Sequence, residues 1–309
     1  MKYNHIKIGT RGSKLALFQA NQVKETLENA FPDIQVKIVV VKTKGDKILD
    51  VSLSKIGDKG LFTKEIEDQL LDDRVDIAVH SLKDLPTVLP DGLKIAGVLP
   101  RHEVRDALVS KNHQKLSQLL PGTLVATGSL RRKSQLLKYN PYLKIIDIRG
   151  NVETRLRKLK DGYCDALIMA GAGLMRLGYH QYITELLDPL DILPAVSQGI
   201  IAIESKTTRP EVDEIIDKIN HRKTFLIGEA ERTFMRVLEG GCQVPVAMHT
   251  HIQKNELIFT GYVGSLDGTQ SVRKTISGKI DEAKELAFAL ANQIIHAGGN
   301  KILDDIRKQ

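Results

Sequence analysis

Three times in this 309-residue chain a short apolar run leads into a turn rich in glycine and serine, an arginine, and the start of an amphipathic helix. Ile6-Lys7-Ile8 leads through Gly9-Thr10-Arg11-Gly12-Ser13 into a helix with Ala16, Ala20, Val23 and Leu27 on one face, with Ser13 placed to cap it. Thr123-Leu124-Val125-Ala126 leads through Thr127-Gly128-Ser129 to Leu130-Arg131-Arg132, and the strand from Leu143 to Ile148 leads through Arg149-Gly150-Asn151 to a helix with Val152, Leu156 and Leu159 on one face. Gly171-Ala172-Gly173-Leu174-Met175-Arg176 repeats the theme more weakly. Alternating strands and helices of this kind specify an α/β fold, and the loops after the strands' carboxyl ends are where such folds bind ligands. Helix N-termini present free N–H groups and a positive dipole end, so these turns read as anion sites. Arg149, Arg155 and Arg157, read as lying in the first turns of the third helix, oppose its dipole unless an anion sits there, and that local conflict marks a site.

The remaining chain fits the same architecture. Val36 to Val41, Asp76 to Val79, Leu93 to Leu99, Asp106 to Ser110 and Ile200 to Glu204 read as strands, and Thr63 to Leu71 and Pro210 to Asn220 as helices. Between Lys42 and Gly60 the pattern weakens into a basic loop, with Lys55 and Lys59 as lid candidates and plain disorder as the alternative. His80-Ser81-Leu82-Lys83-Asp84-Leu85-Pro86 follows a strand. Asp84 beside Lys83 is either a structural pair or Asx turn, or a carboxylate kept ionised by nearby cations and suited to stabilising a positive charge. His80 reads as structural and Cys164 as core. Beyond an apolar helix from Thr224 to Leu238, Ala247 to Gln253, Glu256 to Val263 and Gln270 to Ser277 alternate as strands, with a turn at Leu266-Asp267-Gly268. A helix from about residue 280 to 297 is expected to stop at Gly298-Gly299.

Composition narrows the function. A net charge of +7 points to an anionic partner, but there is no tryptophan and aromatics make up only 5% of residues, so base-stacking surfaces are poorly supplied. The two cysteines form neither a disulfide framework nor a zinc pattern, and neither a secretory leader nor a membrane-spanning run is read, which leads us to expect a reducing cytoplasm. His249 and His251 read as alternating strand residues and no metal is expected. One cysteine lies in Leu238-Glu239-Gly240-Gly241-Cys242-Gln243-Val244-Pro245, where paired glycines keep side chains away from the sulfur and Pro245 limits the exit, so the thiol is presented.

Together, Glu231-Arg232 with the Cys242 loop, the His80–Pro86 run, Thr127 to Arg132, and Arg149-Gly150-Asn151-Val152 resemble the porphobilinogen deaminases, also called hydroxymethylbilane synthases, over essentially the whole chain. The resemblance implies two periplasmic-binding-protein-like (type II) α/β domains flanking a cleft, and a small C-terminal α/β domain with a three-stranded sheet. Residues 1-99 and 200-218 would form the first domain, 100-199 the second, and 219-309 the cofactor-bearing third. It implies a transferase of tetrapyrrole and haem biosynthesis that joins four porphobilinogens head to tail with loss of ammonia and releases hydroxymethylbilane. A dipyrromethane cofactor would be held by thioether on Cys242, with Asp84 catalytic. Arg11, Ser13, Lys83, Thr127, Ser129, Arg131, Arg132, Arg149, Arg155, Arg176 and Gln198 would contact cofactor or substrate, and the protein would act as a cytoplasmic monomer without nucleic-acid or membrane partners. One departure is Gly128, where the family usually carries a hydroxyl residue. Two other readings compete. A non-enzymatic cytoplasmic receptor for a small polycarboxylate leaves the cysteine domain unexplained. A nucleic-acid binder predicts arginines spread over one outer surface, whereas here they gather at strand-to-helix loops.

Overall fold

The computed structural model describes residues 5–47, 60–239 and 244–308. These divide into two compact units, one of residues 5–47, 60–102 and 199–225, the other of 103–198, 226–239 and 244–308.

The chain opens with strands β1 (His5–Arg11), β2 (Gln35–Val41), β3 (Ile77–Ser81) and β4 (Leu93–Val98) in the first unit. It continues in the second with β5 (Asp106–Ser110), β6 (Leu124–Ala126), β7 (Lys144–Ile146), β8 (Ala166–Ala170) and β9 (Glu185–Leu186), then returns to the first unit for β10 (Ile201–Lys206). The first sheet runs β2-β1-β3-β10-β4 and the second β7-β6-β8-β5-β9. In each, β10 or β5 is antiparallel to both neighbours, so four strands run one way and the strand that arrives from the other unit runs against them. The two sheets thus share one strand order. The central strands are buried along nearly their whole length, and their continuous Val, Ile, Leu and Ala runs reflect cover on both faces.

Helices cover these sheets. Helix α1 (Lys14–Ala30) buries Gln19, Ala20, Val23 and Leu27, and its expected cap forms, with Ser13 Oγ accepting the Ala16 N–H at 3.2 Å. Helix α2 (Lys64–Leu71) buries Ile66, Glu67 and Leu70. In the second unit come α3 (Leu130–Tyr139), α4 (Val152–Lys160) and α5 (Gly171–Arg176), followed by α6 (Pro210–Asp217) in the first unit and α7 (Arg222–Val237), which runs from one unit into the other.

A third sheet, antiparallel, is formed by β11 (Val246–Gln253), β12 (Glu256–Gly264) and β13 (Ser271–Gly278). Lys254 and Asn255 both adopt positive φ (49° and 68°) between the paired Gln253 and Glu256, the two-residue turn that matches the strands' twist. Its apolar face carries Leu257, Phe259 and Val263 against Phe234 of α7 and Ala287, Leu290 and Ile294 of helix α8 (Ala283–Ile294). The chain does not end its helical course at Gly298-Gly299, as expected from sequence. A short π-helical turn, Ile295–Gly299, places Gly298 at φ 98°, and helix α9 (Asn300–Arg307) follows. The glycines make a kink, and Ile302 and Leu303 beyond it complete the same core. Helix propensity marked a stop, but burial of that apolar pair overrode it.

Within the second unit the small sheet is keyed to α3. Ser134 and Tyr262 share a 3.0 Å hydrogen bond, and Lys138 Nζ donates to Ser271 Oγ at 2.8 Å. A Cβ at Gly264 would lie 2.5 Å from Ser134 Oγ, and one at Gly268 would lie 2.5 Å from the Lys138 backbone nitrogen. Arg273 donates to the carbonyls of Pro189 (2.9 Å) and Leu190, and the Met248 N–H to that of Pro194 (3.2 Å).

A Cβ at Gly261 would fall 2.7 Å from Phe234 Cζ and 2.9 Å from Ile294 Cδ1. Overpacking there makes Gly261→Ala destabilising by about 1–3 kcal/mol. Chemical denaturation of the two proteins side by side checks this, and an unchanged midpoint would contradict the packing described.

Candidate functional site

In the first unit the sequence-predicted residues collect at the carboxyl ends of the parallel neighbours β1 and β3. Arg11 ends β1, Ser13 caps α1, and the Leu82–Asp84 turn follows β3 directly. The Arg11 guanidinium lies 4.2 Å from the Phe62 ring centroid, which orients its plane. The Leu82 N–H donates to the Ile200 carbonyl at 3.0 Å, and Gln19 Nε2 donates to Ser81 Oγ at 2.8 Å, fixing the turn from two sides. Asp84 is exposed and Lys83 half-buried.

In the second unit the predicted donors follow β6, β7 and β8. Thr127 Oγ1 accepts the Ser129 N–H at 3.2 Å, and Ser129 caps α3 by accepting the Arg132 N–H. Each hydroxyl serves the turn as acceptor and keeps its proton as a donor. Gly128 is explained here, since a Cβ would stand 3.0 Å from Asp147 Oδ1 and 3.1 Å from the Ile148 carbonyl. Gly150 has φ 112°, and Asn151 caps α4 through the Thr154 N–H at 2.9 Å. Arg155 Nε donates to the Gly150 carbonyl at 2.8 Å, tying that side chain back over the turn. Arg157 does not join the first turns. It lies exposed in the last turn of this nine-residue helix, where the dipole favours a cation, so the expected conflict there is absent.

Arg131, Arg132 and Gln198 converge on a residue that sequence reasoning missed. Asp106 is fully buried and accepts from Arg131 Nη1 at 2.8 Å, Arg132 Nη2 at 2.7 Å and Gln198 Nε2 at 2.9 Å. Burial by itself would raise the Asp106 pKa, but the two guanidinium charges and their hydrogen bonds overcome it and hold the carboxyl well below its usual range. Arg131 also donates to the Leu193 carbonyl at 2.5 Å, and Arg132 to that of Ile168 at 3.1 Å. Two guanidiniums against one carboxylate leave a surplus positive charge, and Arg132 Nε is buried with no protein hydrogen-bond partner. Arg176 ends α5, and burial lowers its pKa to about 10. These donors fit a carboxylate-bearing ligand. Nothing in the spacing around Asp106 announces it, because an aspartate opening a strand looks like an ordinary boundary residue.

Glu231 was legible only as part of a motif. It is fully buried in α7, accepting the Ser197 N–H and the Thr250 hydroxyl, each at 2.6 Å. Ser197 sits at φ 62° immediately before Gln198, so this carboxylate ties the Gln198 loop to β11. Cys164 is core, with burial pushing its thiol up to about 11. His249 and His251 stack with ring centroids 5.3 Å apart, and among the described residues no group of three ligating side chains could hold a metal ion. Cys242, Lys55 and Lys59 lie outside the described residues.

The family model described as "Porphobilinogen deaminase, dipyromethane cofactor binding domain" matches residues 6–214, and the porphobilinogen deaminase C-terminal domain matches residues 225–296. A porphobilinogen deaminase of Syntrophomonas wolfei is 48% identical over 304 residues, covering 98% of this chain and 99% of that one. One from Geobacter sulfurreducens is 46% identical over 307 residues, covering 99% and 96%.

Asp106→Asn leaves two buried guanidiniums without a counter-charge and is expected to cost about 3–5 kcal/mol, read by urea denaturation. A carboxyl whose pKa is depressed on folding stabilises above its unfolded pKa, about 3.9, and that contribution is lost as pH falls through the lower folded value. The wild-type advantage over Asp106→Asn should therefore hold from neutrality down to about pH 4 and shrink only below it. A difference under about 1 kcal/mol at neutral pH would show that the cluster is not held by charge pairing.

Proposed function

The chain belongs to the porphobilinogen deaminase family, and from that premise we propose which of its residues carry the reaction. The function is stepwise head-to-tail condensation of four porphobilinogens with loss of ammonia, in tetrapyrrole and haem biosynthesis, on a dipyrromethane cofactor. When bound, the dipyrromethane supplies the primer to which pyrroles are added. We read Cys242 as its thioether attachment, in keeping with its place between Gly241 and Gln243.

The observation that carries the residue assignments is the over-cationic cluster around Asp106, with its buried, unpartnered Arg132 Nε. Every pyrrole unit carries an acetate and a propionate. In the second unit Arg131, Arg132, Arg149, Arg155 and Arg176, with Thr127, Ser129 and Gln198, are donors for such carboxylates, and in the first unit Arg11, Ser13 and Lys83 are donors of the same kind. Guanidiniums already fixed by Asp106, Leu193, Ile168 and Gly150 reorganise little as the negative charge arrives. Asp84 is the catalytic group. Loss of ammonia from porphobilinogen leaves a methylene-pyrrole cation, and a carboxylate beside Lys83, exposed at a strand's carboxyl end, opposes that charge and accepts from pyrrole N–H groups.

The finer reading is a monomeric, cytoplasmic transferase of the hydroxymethylbilane synthase type, organised as a first domain (1-99 and 200-218), a second (100-199) and a cofactor-bearing third (219-309). A chain with only two cysteines suits a reducing compartment. Each added pyrrole brings further carboxylates, which accounts for the number of basic donors.

Intact mass of the denatured protein should exceed that of the bare chain by two deaminated pyrrole units, and Cys242→Ser should lack the addition. Asp84→Ala, carrying the same addition, should turn over about a hundredfold or more slowly. A wild-type chain that gains no mass on incubation with porphobilinogen would refute the attachment, and an Asp84→Ala enzyme of normal rate would refute the catalytic assignment.

A further inference from the structure

Beneath the turn that carries Asp84 lies a set of buried ionisable groups that the reaction as assigned leaves without a role. His80 of β3 is 6% exposed, Glu204 of β10 0%, Glu67 of α2 5%, and Thr63, immediately before α2, 1%. His80 Nε2 and Glu204 Oε2 stand 3.2 Å apart, a close polar contact without hydrogen-bond alignment. Both Glu204 oxygens and His80 Nε2 are buried with no protein hydrogen-bond partner, while the Thr63 hydroxyl acts on Glu67. Burial raises the Glu67 pKa, and Glu204 pushes it further, while Thr63 and His80 act against the rise. Two carboxylates and an imidazole in a hydrophobic sheet are costly to keep there. Val, Ile and Leu fill the neighbouring positions, including Ile66, Ile77, Val79 and Ile203.

Their placement indicates what they do. In the sheet register His80 faces Ala202 and Glu204 faces Ala78, so their contact runs diagonally between β3 and β10. The same two strands meet again where the Leu82 N–H donates to the Ile200 carbonyl at the start of the Asp84 turn. Strand β3 is therefore pinned to β10 on both sides of Ser81, only a few residues before Asp84. From the other direction, Glu67 and Thr63 bring the start of α2 into the cluster, next to Phe62, on which the Arg11 guanidinium lies. One buried network thus touches the supports of both Asp84 and Arg11.

We propose that Glu204 and His80, with Glu67 beside them, are positioning residues for Asp84: a buried acid–imidazole–acid network that sets the exit of β3 and so the direction of the catalytic carboxylate. This rests on the assignment of Asp84 as the catalytic group. A displaced counter-charge weakens stabilisation of the developing cation while leaving the arginine contacts to the ground-state carboxylates in place, so the loss falls on kcat and not on KM.

The test uses full-length enzyme whose intact mass confirms the loaded cofactor. Glu204→Gln is expected to lower kcat about tenfold, with KM changed less than about twofold, since a misplacement near 1 Å costs up to a hundredfold. Glu204→Asp keeps the negative charge opposite His80 and is expected to recover most of that kcat. If Glu204→Gln fails to fold, the double variant His80→Asn with Glu204→Gln removes both ionisable groups together and should show the same loss of kcat in a folded protein. A lower melting temperature with kcat unchanged, in either variant, overturns the proposal, because the network would then be structural only. So does a loss seen equally in Glu204→Gln and Glu204→Asp, which would mean shape and not charge. Asp84→Ala measured alongside separates the two readings. If that variant keeps its rate, the Asp84 assignment has failed. If it loses its rate while the Glu204 variants keep theirs, only the positioning role has failed.

Discussion

The second unit depends on one carboxylate. Asp106 is fully buried, and such a group stays charged only where opposite charge is brought to it. Here the charge comes from consecutive residues of α3, Arg131 and Arg132, and Gln198 supplies the remaining donor from a distant loop. The arrangement fixes three things together: where β5 enters its sheet, how α3 is rotated, and where the loop before β10 lies. It also leaves one positive charge uncompensated. A site built this way is stable enough to be preset and unsatisfied enough to attract an anion, and it binds carboxylates without first having to order its own side chains.

The anion-binding chemistry was legible in the sequence because it obeys local rules. Ser13, Ser129 and Asn151 each follow a strand and precede an amphipathic run, and each caps its helix as that context dictates. The Gly128 departure was visible too, though its reason was not: the constraint comes from Asp147 and Ile148 on the adjacent strand's exit, far from Gly128 in the chain. Arg157 misled because sequence placed it relative to an imagined helix length, and over nine residues a first-turn cation becomes a last-turn one. Gly298 misled because a helix stop and a helix kink use the same residue, and only the burial of Ile302 and Leu303 decides between them. Asp106 and Glu204 were hidden for a common reason. A carboxylate's burial is set by partners tens of residues away, and no local pattern encodes them.

The repeated strand order relates these points. Each five-stranded sheet places its one antiparallel strand fourth, and that strand is contributed by the chain as it crosses from the other unit. Asp106 and Glu204 lie on those two crossing strands, β5 and β10. In both sheets, then, the strand laid across the grain carries a buried carboxylate that meets a basic group from an adjoining element: an arginine pair in one sheet, an imidazole in the other.

The contact between α3 and the small sheet bears on how this chain can be taken apart. By sheet count it has three pieces, which invites truncation at the start of α7 or exchange of the C-terminal piece with a relative's. Yet Gly264 and Gly268 admit no side chain because the backbone and hydroxyls of α3 press against them, and Tyr262, Leu193 and Ala247 share a core of their own. Removing the small sheet would strip Tyr262, Ser271 and the two glycines from the helix that holds Arg131 and Arg132. The protein shows the seams of three modules but is mortised as two, and grafts should be drawn along the unit boundary, not along the edge of the third sheet.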